Sequence, residues 1–354
     1  MYAQFLQRYN FFAHEASFPA EKQVPADVFT TKSGIVFAKS AVLRIFVARM
    51  SPLISFIIAY HNEPPDLLRA CLESIMALPL AAEEREVVVV DDGSESCPLS
   101  FVSDPTAGGD SGVRLVRQDA SGLSVARNTG ISRTSGKYIQ FVDADDCLLP
   151  CYRTVLQLLR EGSADLVMFR MSTKPCPSPH APCPSPLAPK LQSGPSFLQH
   201  RNMRAAACGY AFRRDVLGEL RFRPGLLHED ELFTPQLLLQ AGKLCDLPLR
   251  AYFYRQHPGT ITHAASPEKI RKRLDDIHFI LNELRDLQNP LLERRIHQLT
   301  VDYMQKVWTL THSFREFRHR SRQLRSEGFL PLPIRPYSLR HLFACLLLPL
   351  CSGR

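Results

Sequence analysis

From residue 53 onward the chain alternates between two hydrophobic periods. Residues 53–59 form a nearly continuous apolar run of strand length. Residues 64–78 then carry Leu67, Leu68, Cys71, Leu72, Ile75 and Met76 at helical spacing, and Pro64 and Pro65 suit a helix start. Residues 86–90 read as a second buried strand, closed by the turn cluster Asp91-Asp92-Gly93-Ser94. The pattern continues with strands at 113–116, 138–142 and 166–171 and helices at 122–133 and 150–160. Strand and helix alternating at this spacing predict an α/β domain whose central sheet is mostly parallel and flanked by helices. Further along, 206–212 and 244–255 read as strands and 231–240 as a helix, and from 267 to about 325 the chain is mostly helical. No internal repeat is visible.

Two stretches break the pattern. Residues 1–49 mix aromatic, charged and small residues without a sustained period, so Met50 is expected to be the natural start and 1–49 an extension with little stable structure. Residues 173–195 read as a Pro-rich loop insertion, with eight prolines between 175 and 195. A Pro-rich run cannot form a core element and favours an extended excursion. The expected organisation is therefore the extension 1–49, an α/β domain over 50–265 and a helical, basic region over 266–354.

Composition removes several classes. The 354 residues are 45% hydrophobic and 22% charged, which excludes wholesale disorder, collagen and coiled coil. The ten cysteines include no Cys-x-x-Cys pair, so a reduced intracellular chain with small buried thiols is expected. The late apolar run 342–350 is too short to span a bilayer, and no transmembrane helix is expected. The net charge is +8, and residues 266–354 hold 16 Lys/Arg against 9 Asp/Glu. A nucleic-acid-binding domain would place its basic stripe within the folded core. Here the excess sits at the end, where Arg315, Arg318, His319, Arg320, Arg322 and Arg325 precede the apolar run. That arrangement points to an anionic membrane surface rather than nucleic acid. The expected location is the cytoplasm, with peripheral contact at the inner face of the membrane. A solvated charged helix is the plainer alternative.

The candidate chemistry lies in the acidic residues. Asp91 and Asp92 follow one predicted strand, and Asp143, Asp145 and Asp146 follow another. In an open α/β sheet ligands bind beyond the carboxyl ends of the strands. Two acidic clusters on one rim repel a bare phosphate but suit a divalent cation placed between carboxylates and an anionic ligand. Either cluster alone would pass for turn carboxylates. Competing motifs fail: no Gly-x-Gly-x-x-Gly follows the first strand, and the run from Gly130 to Lys137 is one residue too long for a P-loop.

Four strings, in order, carry a resemblance. Residues 55–63 (SFIIAYHNE), 87–94 (VVVVDDGS), 122–130 (GLSVARNTG) and 138–146 (YIQFVDADD) resemble the signatures of family 2 glycosyltransferases of the bacterial glycan-synthesis type. The resemblance is strongest over 51–150 and weaker to about 262. It implies a GT-A fold, a nucleotide-sugar donor, Mn²⁺ or Mg²⁺, and an inverting single displacement onto a glycan or lipid-linked acceptor. By position, Asp92 would bind the uracil or ribose side of the donor, and His61, Asn62 and Glu63 would frame the base. Asp143 and Asp145 would hold the metal against the diphosphate. Arg127 would lie near the donor or be a surface charge on its helix. The resemblance places a Glu-Asp pair at 229–230, with Asp230 as the base that takes the acceptor proton. Glu231 reads as a helix-capping residue. Arg255 or His257 would meet the diphosphate from the far side. A nucleotidyltransferase on a similar fold, or a non-catalytic scaffold docking through the Pro-rich loop and basic tail, are the competing readings.

Overall fold

A computed structural model describes residues 51–96, 112–174, 190–256 and 266–352. The expected extension 1–49, most of the Pro-rich stretch and His257 lie outside the described residues. Nine strands make one mixed sheet in the order β3-β2-β1-β4-β8-β6-β9-β5, with β7 paired to β9. The strands are β1 (Ile54–Tyr60), β2 (Arg85–Asp92), β3 (Val113–Gln118), β4 (Tyr138–Asp143), β5 (Cys147–Leu148), β6 (Leu166–Ser172), β7 (Leu191–Gln192), β8 (Tyr210–Arg213) and β9 (Leu244–Phe253). β1, β2, β3 and β4 are mutually parallel. The apolar runs of β1, β2 and β4 are buried along nearly their whole length, as expected when helices cover both faces.

β8 departs from expectation. Residues 207–209 form a 3-10 turn, and only Tyr210–Arg213 is strand. β8 runs antiparallel between β4 and β6. That reversal leaves β6 parallel to β4, so the carboxyl ends of β1, β2, β4 and β6 share one rim. The end of the expected Pro-rich insertion is also ordered into elements: Leu191–Gln192 pair with β9, and Pro195 lies in the first turn of a helix.

Ten α-helices complete the described fold: α1 (Pro65–Met76), α2 (Leu123–Ser132), α3 (Tyr152–Glu161), α4 (Gly194–His200), α5 (Arg214–Leu217), α6 (Asp230–Gln240), α7 (Pro267–Asp286), α8 (Glu293–Thr311), α9 (Phe314–Ser326) and α10 (Leu339–Ser352). Local chemistry sets their ends. Pro65 opens α1 with the backbone angle a first turn needs. Gly162 closes α3 in the left-handed conformation. The Ser266 and Ser313 hydroxyls accept the Lys269 and Glu316 amides to cap α7 and α9. Gly130 of α2 packs so close to β1 that an added Cβ would stand 2.1 Å from Ile57 Cγ2. Only glycine lets this helix lie that near the sheet.

Two large clusters fill the two sides. One joins Ile57, Phe141, Phe212, Phe233 and Leu237 to Leu274, Val307, Leu324 and Leu348, so the C-terminal helices share the core of the sheet. The other lies around Phe56, Ile58, Tyr152, Leu156 and Tyr252. Among the described cysteines, Cys71, Cys147, Cys208, Cys245 and Cys345 are free thiols. Cys151 is disulfide-bonded, which corrects the expectation of a fully reduced set. No described helix is long and apolar enough to cross a membrane.

Candidate active site

The parallel register delivers the site. Tyr60 lies beside Asp91, and Ala59 beside Asp143, so both acidic clusters leave the sheet at the same rim. At the β2 end, Asp92 is 6% exposed. Its Oδ1 accepts from Gln118 Nε2 at 2.7 Å and the Ser121 amide at 2.9 Å, and its Oδ2 accepts from the Gly122 amide at 2.7 Å. The carboxylate thereby organises the entry to α2, where Gly122 holds φ +90°. Asp91 is fully buried, accepts the Ser94 amide at 3.0 Å and lies 3.6 Å from the Arg117 guanidinium.

The loop after β1 folds onto this rim. His61 Nδ1 lies 2.7 Å from the Asp92 carbonyl. A carbonyl only accepts, so Nδ1 carries the proton. The His61 amide donates to Glu63 Oε2 at 2.5 Å. Asn62, at φ +62°, donates its amide to Ser94 Oγ at 3.0 Å and accepts the Glu95 amide at 2.9 Å. His61 and Asn62 remain exposed. Burial pushes the Glu63 carboxyl up, against the lowering effect of the His61 amide.

Arg127 stands at the centre. It is 5% exposed, so the surface-charge alternative falls. Its guanidinium donates to Asp143 Oδ1 at 2.9 Å and pairs with Glu229. It also lies 5.3 Å from the Phe222 ring centroid and 5.8 Å from that of Phe141. Burial would lower the guanidinium, but Glu229 and Asp143 outweigh it and hold it above its ordinary value. Asn128, next in sequence, exchanges two hydrogen bonds with the Phe222 backbone, at 2.8 and 2.9 Å. Through these two residues α2 ties β4 to the segment that leads into α6.

Asp230 begins α6, half-buried, and its carboxylate makes no hydrogen bond among the described residues. Burial raises its carboxyl well above the ordinary range, and Glu229 and Glu231 add to the effect. Glu231 is not a cap: it pairs with the buried Arg295. Glu229 occupies the capping position without a side-chain cap bond. Before them, His228 adopts φ +65° and sits 3.4 Å from Lys306 Nζ of α8. Burial, then Lys306, lowers its imidazole to about 4.

The turn after β4 is clamped from β9. Arg255 donates its amide to Asp146 Oδ1 at 2.7 Å and its Nε to the Asp145 carbonyl at 2.9 Å. Arg255 thus holds the Asp143–Asp146 turn. The Tyr252 hydroxyl accepts the Asp143 amide at 3.1 Å. Asp146 is fully buried with Oδ2 unbonded, and burial, then Asp143, pushes its carboxyl to about 8.

The carboxylates fit a divalent ion of a particular kind. No three His, Cys, Asp or Glu side chains converge as a closed metal site among the described residues. Asp143 Oδ1 is engaged by Arg127, while its Oδ2 makes no hydrogen bond and Asp145 follows two residues on. Two carboxylates on an open rim suit Mg²⁺ or Mn²⁺ that takes its remaining ligands from substrate phosphates and water.

Sequence reasoning missed Asn128 and Tyr252 as parts of this site, and placed Glu229 there without its partner Arg127. Arg127 held the available signal, being a cation on a helix otherwise lined by small and apolar residues. Its partner lies 102 positions away, so spacing gave no hint of it.

The class of protein follows from comparison with known sequences. Residues 55–221 match Glycosyl transferase family 2. Glycosyltransferase GlyG of Streptococcus pneumoniae is 34% identical over 230 residues, 60% of this chain and 73% of that protein. The chain belongs to glycosyl transferase family 2. The uncharacterized glycosyltransferase YibD of Escherichia coli is 28% identical over 59% of this chain, and the match spans 63% of that relative's length. The fold is similar to that of S. aureus TarS residues 1–349, solved with UDP-GlcNAc: TM-score 0.55, 19% identity and 73% coverage of each chain.

Proposed function

We propose that this chain is a metal-dependent, inverting glycosyltransferase. It moves a sugar from a nucleotide donor, a UDP-sugar, to a hydroxyl of a glycan or lipid-linked acceptor. One observation carries the reading: Arg127 pairs at once with Asp143 and with Glu229, the neighbour of Asp230. A carboxylate without a hydrogen-bond partner is thereby held near the rim that suits a metal-bound diphosphate.

His61, Asn62 and Glu63 frame the base of the donor, and Asp92 supports that loop through the His61 ring. The UDP-GlcNAc bound to the TarS fragment supports a uridine nucleotide here. Asp143 and Asp145 hold the ion, which supplies positive charge to the departing diphosphate. Arg127 fixes the orientation of Asp143, and Arg255 fixes the turn that bears Asp145. Asp230 takes the proton of the acceptor hydroxyl as that oxygen bonds to the anomeric carbon and the bond from carbon to phosphate oxygen breaks. The raised carboxyl makes Asp230 a stronger base than an exposed aspartate, once it is ionised.

Peripheral membrane attachment belongs to the same reading. Leu339, Phe343 and Leu346 lie on one face of α10 and are 76%, 63% and 65% exposed. Arg315, Arg318, Arg322 and Arg325 recur at helical spacing on α9, all exposed, and α9 packs on α10. A basic stripe beside an apolar face suits an anionic bilayer surface.

The deciding experiment is Asp230→Asn with UDP binding followed alongside turnover. Transfer should fall by about 10²–10⁴-fold while UDP still binds in Mn²⁺. Turnover equal to the unmodified protein would exclude Asp230 as the base, and unaltered behaviour in every assay would favour a scaffold.

A further inference from the structure

A cavity of about 600 Å³ opens between the ends of β6 and β8. It falls in the size range of small-molecule sites, about 300–1,000 Å³. We propose that this cavity is the acceptor site and that the acceptor is an anionic saccharide, one bearing a phosphate or a carboxylate. The inference rests on the glycosyltransferase reading above and names the substrate class of its second half.

Three links tie the cavity to the catalytic elements. Tyr210 forms part of its wall, and the Tyr210 hydroxyl bonds Thr234 Oγ1 at 2.9 Å, one turn along α6 from Asp230. Met203 forms another part, and its carbonyl accepts from Arg295, the partner of Glu231. Met171 of β6 is in register with Tyr252, whose hydroxyl holds the Asp143 amide. An acceptor seated here lies against Tyr210, which bonds the helix that Asp230 begins, and on the opposite side of β4 from the His61 loop.

The charge of the walls selects the ligand. Arg170, Arg201, Arg204 and Arg294 face one carboxylate, Asp246. Arg170 is neutralised by Asp246, at 2.6 and 3.0 Å. Arg294 bonds only neutral groups, the Gln199 carbonyl and Asn202 Oδ1, and keeps its full charge. Arg201 and Arg204 are exposed and pair with no carboxylate among the described residues. Three uncompensated guanidinium groups around one cavity match phosphate or carboxylate, which the planar arginine fork binds through two parallel hydrogen bonds. The donor diphosphate is a poorer occupant, because this cavity lacks the paired acidic side chains that hold a bridging cation.

The test is calorimetric titration of the full chain, saturated with UDP and Mn²⁺, using glucose 6-phosphate, glucuronate and glucose as probes. At least one anion should bind tenfold or more tightly than glucose, and which one does so names the oxyanion. In Arg201→Ala/Arg204→Ala that preference should disappear while UDP affinity and slow hydrolysis of UDP-sugar stay unchanged. Both arginines are exposed, so the variant should fold. Arg201→Glu/Arg204→Glu should weaken anion binding further still. Equal binding of glucose and the anions, or anion affinity unaltered in both variants, would overturn the acceptor proposal and leave the enzyme reading intact. Failure of UDP to bind or of UDP-sugar to turn over would instead strike the enzyme reading itself.

Discussion

At the end of β2, Asp91 and Asp92 sit 0% and 6% exposed, with backbone amides bonded to both. Across β1, the Asp143 side chain is 31% exposed, bonded through one oxygen, and Asp230 beyond it makes no hydrogen bond among the described residues. The same residue type therefore serves two ends. At the β2 end the carboxylates are engaged by the fold: they accept amides that would otherwise be buried without acceptors and order the entry to α2. At the β4 end of the same rim burial and like charges are only partly compensated, which costs stability and leaves carboxylate oxygens available for chemistry. Arg127 is the boundary between the two, since it neutralises enough charge for Asp143, Glu229 and Asp230 to lie close together.

This contrast can be broken most directly at Asp230. Asp230→Asn should lower transfer by about 10²–10⁴-fold, the usual worth of a general base. Its melting temperature should hold or rise, because an uncompensated buried charge is removed. Because burial raises the Asp230 carboxyl, transfer by the unmodified protein should rise with pH as that group ionises, above the range of an exposed aspartate. A pH–rate profile flat from mildly acid to neutral pH would argue against Asp230 as the base.

Removing the partner of a buried charge should have the next largest effect. Glu229→Ala leaves Arg127 paired to Asp143 alone, and about 3–5 kcal/mol of stability should be lost in denaturant unfolding. A loss under about 1 kcal/mol would mean that Arg127 does not hold the two halves together. Asp92→Ala sharpens the other side. Three donors lose their acceptor, so about 1–3 kcal/mol should disappear, with weaker UDP binding following from the shifted entry to α2. Lost UDP binding with unchanged stability would make Asp92 a direct ligand instead.

Smaller effects come from titration and the surface. His228 is lowered from 6.5 to about 4 by burial and Lys306. The unfolded chain binds that proton first, so stability should fall as pH drops from about 6.5 towards 4. His228→Gln should flatten that slope in acid-unfolding curves. Smallest is Glu84, lowered to about 2 by its bond to Arg160 on the surface. Its contribution is present above its ordinary value of 4.5 and is lost as pH falls through about 2. Glu84→Gln should cost at most about 1 kcal/mol at neutral pH, since the pair is solvent-screened.

The sequence by itself determined the sheet strands β1 to β4, the helices between them and the rim on which the acidic clusters fall. Those features rest on local period: continuous apolar runs for strands buried on both faces, helical spacing for α1 to α3, and turn-forming aspartates where the strands stop. The positions of Asp143, Asp145 and Asp230 at the ends of elements were legible for the same reason, while their proposed roles came from the family resemblance. Only the tertiary structure decided how those charges are used. The pairing of Arg127 with Glu229, the Asn128–Phe222 bonds, the clamp of Arg255 on the Asp145 turn and the arginine-lined cavity join positions tens of residues apart or more. Hydrophobic period encodes which face of an element is buried, but not which distant polar group it is buried against. That choice is made by the antiparallel insertion of β8, which sets the cavity on the shared rim, and by the helices that close over it.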